Sequence, residues 1–289
     1  MALSKFFSQE SVASRSSHTV MVLAYIALAV GAVIMLMPFY YMLVFATRSN
    51  AEILSVPPPM WFGSSFLENV RELDGFRPHF WHAMGRSLWI AGATTVANLF
   101  FCSLAGYAFA LLDFRFKEKF FAFIMGTMLM PSFVGMLPTI MLMQSIGWID
   151  DARAMVVPGA CAALGIFMMR QYIGSAIPRE LIEAGRMDGC GEFGLYWRIV
   201  LPLLGPAMGT LGLITFIGSY NNFVGALLVL RSESAQTVPL VLRSLQGTSA
   251  ATWGAISVGA AIAVAPLLVA FVVYSRRLID GLTSGAVKG

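Results

Sequence analysis

Charge is what this chain has least of. Of its 289 residues, 12% are charged and 58% are hydrophobic, whereas soluble domains carry roughly 25% charged residues. An ordinary water-soluble fold is excluded. The net charge of +4 implies no nucleic-acid partner, because basic residues beside membrane spans record topology. Cysteine is scarce as well. Cys102, Cys161 and Cys190 show neither disulfide nor zinc spacing, so small buried hydrophobes is their expected role. His79 and His82 lie three apart with no third ligand nearby, and no metal is expected. No lysine follows a glycine anywhere, so a phosphate-cradling Gly-x-x-x-x-Gly-Lys-Ser/Thr loop is absent. No catalytic constellation is present either, and the chain is not read as an enzyme.

What the chain has instead is apolar runs, each long enough to cross a bilayer core of about 30 Å. They predict an all-α polytopic membrane protein of six spans, near residues 20–46, 87–112, 120–144, 154–169, 203–230 and 253–274. The predicted order is a loose Ser-rich arm (1–19), a first helix (20–46), a polar loop (47–85) and a five-helix core (86–274). A tail (275–289) follows. The first run is too long for a cleaved signal's apolar region and is expected to stay. Pro57, Pro58 and Pro59 preclude a helix through their own segment of the loop. Pro131 and Pro138 free backbone carbonyls in the third run, so that run is expected to pack inside the bundle. No Asp, Glu, Lys, Arg or His lies mid-span, which argues against an ion-coupled transporter or channel. Lys5, Arg15, Arg115, Lys117, Lys119, Arg276 and Arg277 fall on one side of such a topology. The positive-inside bias then puts both termini in the cytoplasm, with the charged segment 170–202.

That segment is the anomaly, with four basic and four acidic residues between Arg170 and Leu201. Pro178 suits the first helical position, and the pattern predicts a helix over Arg179–Met187. Glu180 and Glu183 lie near its positive end. Ala184 and Gly185 are small enough for close approach to another surface, and Gly189 can take the left-handed turn that ends the helix. A second helix is expected from Glu192, with Phe193, Tyr196, Trp197 and Val200 on one apolar face and Pro202 closing it. Polar groups at span depth are functional candidates. Asn221 and Asn222 could donate to and accept from sugar hydroxyls, with Tyr220 offering a ring face. Interhelical hydrogen bonding is their competing role, and it is the favoured one for Asn98, Thr94 and Thr95.

Glu183-Ala184-Gly185, three residues, Gly189, nine residues, Ile199, one residue, Leu201-Pro202 resembles the EAA signature of ABC importer permeases, with Gly185 in place of Ala. From residue 88 onward the chain resembles the smaller-permease type of the maltose-transporter class, including the stretch from Gly281 to Gly289. Tyr220-Asn221-Asn222-Phe223 is similar to that class's Trp-Asn-Glu-Phe. The resemblance implies a MetI-like permease core plus one extra N-terminal span, in a bacterial inner membrane. It also implies a homologous second permease, two ATPase subunits carrying ATP and Mg, and an extracytoplasmic solute-binding protein. Glu183, Ala184, Gly185, Asp188 and Gly189 would form the ATPase-coupling element, with the tail from Leu278 also reaching the ATPases. The cargo would be a sugar or oligosaccharide. A peptide, amino acid or polyol phosphate is the alternative, and a secondary transporter a more distant one.

Overall fold

The computed structural model describes residues 3–76, 79–247 and 252–286 and is helical, with no strand among the described residues. In chain order the helices are α1 (Leu3–Phe45), α2 (Asn50–Ile53), α3 (Phe66–Gly75), α4 (Phe80–Leu111), α5 (Lys117–Thr127), α6 (Met136–Ser145), α7 (Arg153–Gly159) and α8 (Ala163–Ala176). They continue as α9 (Arg179–Met187), α10 (Glu192–Leu195), α11 (Leu201–Leu203), α12 (Gly205–Tyr220), α13 (Phe223–Val229), α14 (Val238–Gln246) and α15 (Trp253–Ala286). Two units contain them, Met1–Arg71 with Thr252–Ala261, and Glu72–Ala251 with Ile262–Gly289.

In the first unit, α1 leaves its apolar side chains from Val20 to Phe39 facing outward. A helix satisfies its own backbone, so such a surface suits lipid. The helix already begins at Leu3, where a loose arm over 1–19 was expected. The chain has no glycine or proline before Gly31, and nothing interrupts the helix. Beyond it the polar loop clamps onto itself. Asn69 Nδ2 donates to the Ala46 and Arg48 carbonyls at 3.0 and 2.9 Å, and Arg48 Nε donates to the Trp61 carbonyl at 3.0 Å. Ser49 and Glu52 form a reciprocal capping box on α2. Between Ile53 and Phe66 there is no helix, as the three prolines require.

In the second unit α4 is the axis. Its buried residues include Ile90, Thr94, Asn98, Cys102, Gly106 and Phe109, the three-to-four spacing of one helical face. Small residues allow its partners in. A Cβ on Gly159 would lie 2.6 Å from Thr94 Cγ2, one on Gly165 2.6 Å from Cys102 Sγ, and one on Gly106 2.5 Å from Met169 Cβ. These three approaches advance along both segments together, so α7 and α8 run parallel to α4. Contacts with α12 run the other way. Thr215 Oγ1 donates to Asn98 Oδ1 at 3.2 Å, and Tyr220 Oη to Met84 Sδ at 3.2 Å.

Of the six runs expected to cross, four are helices of spanning length and composition, Val20–Phe45, Phe80–Leu111, Arg153–Ala176 and Trp253–Val273. A fifth is the pair Glu192–Leu203 and Gly205–Tyr220, bent by 80°. The third run is broken. α5 stops at Thr127 and helix resumes only after Pro131, which has no amide to continue the ladder. Nor is this stretch packed inside the chain's own bundle, since Leu129 is 86% and Phe133 77% exposed. The fourth runs past 169 to Ala176, and Arg170 there pairs with Glu118 at 2.9 Å and stacks on Phe121. The expected tail continues α15 to Ala286, and residues 287–289 lie outside the described residues. Cys102 is buried as expected, but Cys161 is exposed.

Candidate functional site

The charged segment forms as its residues dictate. Pro178, extended at φ −62° and ψ 138°, stands just before α9 as its N-cap. α9 ends in a Schellman turn, in which Cys190 N–H donates to the Gly185 carbonyl and Gly189 N–H to that of Arg186, both at 3.0 Å. Gly189 has φ +79°, the left-handed value the turn requires. Glu183, Ala184, Met187 and Asp188 face outward, Met187 being 88% exposed. Gly185 faces inward. A Cβ there would fall 2.5 Å from Leu195 Cδ2 and 3.0 Å from Ile199 Cδ1, so the missing methyl is what lets α9 lie against α10.

The second helix departs from the expected pattern. Tyr196–Val200 is a π-turn, closed by Leu201 N–H on the Tyr196 carbonyl. Pro202 supplies no amide and would crowd the Arg198 carbonyl in an ordinary α-helix, and a widened turn relieves both. The buried stripe becomes Leu195, Tyr196 and Val200, each fully buried, while Phe193 and Trp197 stay 63% and 52% exposed and stack on each other. Pro202 does not end the helix either. It lies within α11, and the sharp bend follows at Leu204.

Ser103 and Tyr107, which no motif in the sequence singles out, hold this segment to α4. Ser103 Oγ and Tyr196 Oη share a buried hydrogen bond of 2.8 Å, and Tyr107 Oη donates to Glu192 Oε2 at 2.6 Å. Glu192 Oε1 accepts from Arg186 Nε at 3.0 Å. No local spacing pairs residues so far apart in sequence, so a search of motifs could not find them.

Between α4, α7, α12 and α13 lies a cavity of about 460 Å³ whose polar lining is Thr94, Asn98, Thr139, Thr215, Ser219 and Asn222. Asn98 is committed to structure, donating to the Gly159 carbonyl at 2.9 Å and accepting from Thr215. Asn222 lines the cavity and caps α13, its Oδ1 accepting from Gly225 N–H at 2.9 Å. Its two neighbours lie elsewhere. Asn221 ends α12 and is exposed. Tyr220 is buried, with its hydroxyl on the Ala263 carbonyl at 3.0 Å. Its ring stacks on Phe216.

A family profile, the binding-protein-dependent transport system inner membrane component, matches residues 102–282. The chain belongs to this family. Its members are membrane permease components of transporters whose ATPase is a separate subunit. The permease is 34% identical over 210 residues to the arabinooligosaccharides transport system permease protein AraQ of Halalkalibacterium halodurans, covering 73% of this chain and 75% of that one. It is 31% identical over 278 residues to the trehalose/maltose transport system permease protein MalG of Thermococcus litoralis, covering 93% and 98%. Its fold matches a chain of a bacterial ABC transporter involved in the import of the acidic polysaccharide alginate. The TM-score there is 0.80 at 22% identity, over 91% of this permease and 98% of that chain.

Proposed function

We propose that this permease forms half of the translocation pathway of an ATP-driven importer for a sugar or oligosaccharide. It would work with a second permease, two ATPases and an extracytoplasmic binding protein. The observation that carries the reading is α9. It is a short helix whose outer face of Glu183, Ala184, Met187 and Asp188 is uncovered, while its inner face is fixed by the Schellman turn and Gly185. Such a piece can be pushed without unfolding. In this reading the chain crosses the membrane six times, with α5 and α6 as one crossing and both termini in the cytoplasm. The parallel course of α4 and α7–α8, and the antiparallel course of α12, support that alternation. The charge test is Glu183→Lys, which reverses a charge in the middle of the docking face of α9. In proteoliposomes holding the whole complex, uptake should fall towards background while insertion and copurification with the ATPases persist. Unchanged ATP consumption per solute would remove α9 from the coupling contact.

The cavity supports a sugar as the cargo. None of its lining residues is ionisable, and its hydroxyls and amides suit a polyhydroxylated solute better than a charged one, which would need a counter-charge at this depth. Asn222 is the proposed contact in this subunit. Because it also caps α13, Asn222→Ala costs about 1 kcal/mol of local stability whatever the solute does. Asn222→Asp keeps the capping oxygen and loses the amide donor. Both variants should reduce uptake with assembly intact, and normal uptake kinetics for Asn222→Asp would take this residue out of the pathway.

A further inference from the structure

The two features described above meet on a single helix. At its C-terminal end α4 holds Ser103 and Tyr107 against the charged segment, and in its middle it presents Asn98 and Thr94 to the cavity. At the lower end the contacts form a continuous line. Arg186 of α9 bonds Glu192, Glu192 bonds Tyr107, and one turn back along α4 Ser103 bonds Tyr196. Ser103 and Tyr196 are both fully buried. Were the segment to shift without α4, the buried hydrogen bond between Ser103 and Tyr196 would be lost, leaving Ser103 only its bond to the Phe100 carbonyl among the described contacts, and a charge-assisted hydrogen bond would break. Moving together costs none of this. Further up, Asn98 is bonded on two sides, to Gly159 and Thr215, so a displacement of α4 reaches the α7 and α12 walls of the cavity.

We propose that Arg186–Glu192–Tyr107, with Ser103–Tyr196, is the latch that passes movement of α9 into α4 and so into the cavity wall. These are positioning residues, and the proposal rests on the reading that α9 is the ATPase docking element. The test uses the reconstituted complex, with Tyr107→Phe and Glu192→Gln made separately. Alongside solute uptake and ATP hydrolysis, a cysteine at Ile214, which lines the cavity, reports thiol labelling before and after vanadate trapping, with Cys161 and Cys190 changed to serine. The latch variants should assemble and trap nucleotide normally, yet spend about tenfold more ATP per solute. Their Ile214→Cys labelling should no longer differ between the two states. Wild-type stoichiometry together with a wild-type labelling change in both variants would overturn the latch. So would loss of assembly in both, which would assign these residues to packing alone. The Glu183→Lys variant separates the two readings. If it uncouples while the latch variants do not, only the latch is wrong, and if it leaves coupling intact the docking reading itself has failed.

Discussion

Gly189→Val should raise the ATP consumed per solute by about tenfold while the permease still inserts and assembles. The backbone at this position has φ +79°, and a Cβ placed there would meet nothing within 4 Å. The whole effect is therefore conformational. A β-branched residue resists the left-handed region, at a cost of about 1–2 kcal/mol, which tilts the turn against the geometry that satisfies the Gly185 and Arg186 carbonyls. The turn sets the direction in which the chain leaves α9 for α10, and Glu192 follows within three residues. An altered turn thus displaces the docking helix from its support. Asparagine tolerates the left-handed region better, so Gly189→Asn should recover most of the coupling. Equal behaviour of valine and asparagine, measured as solute accumulated against phosphate released, would show that the turn geometry is unimportant.

Gly106→Val should fail earlier, in folding itself. Its Cβ would lie 2.5 Å from Met169 Cβ, 2.9 Å from Arg170 N and 3.0 Å from Met169 C. Backbone atoms cannot rotate aside, so α4 and α8 would have to part. Overpacking of this kind costs about 1–3 kcal/mol or more, at a crossing where Met169 is fully buried and Tyr107 is the next residue along α4. The expected result is a lower unfolding temperature in detergent and little assembled complex. Gly174→Ala is the matched control. It lies on the same helix as Met169 but has open space around it, so the change should be neutral or mildly stabilising through helix propensity. Similar losses at both positions would argue against a close crossing at Gly106.

How much of this was legible depends on how local the cause is. Arg179–Met187 forms a helix with the bounds its sequence predicts, because Pro178 and Gly189 act on their own dihedral angles. The break after Thr127 has a visible signal in Pro131, which lacks the amide that would continue the helix. What the sequence does not show is that the stretch around it stays uncovered by the rest of the chain. The expected aromatic face after Glu192 does not form, because the 3.6-residue period fails where Pro202 widens the preceding turn. Tyr220, Asn221 and Asn222 are consecutive, yet one seals a helix packing, one ends a helix and one lines the cavity. Composition could not separate them, since their directions depend on where α12 stops.

By itself, the sequence determined the helical character of the chain, its suitability for a membrane, and the charged helix with its glycine turn. Each follows from the propensity, polarity or dihedral freedom of residues close together in the chain. Only the tertiary structure decided that Gly185 makes room for Leu195 and that Ser103 and Tyr107 hold the charged segment. The same is true of the single helix, α4, that joins this segment to the cavity. Those contacts exist because residues distant in sequence meet at van der Waals or hydrogen-bond distance, and no periodicity along one strand of chain encodes such a meeting.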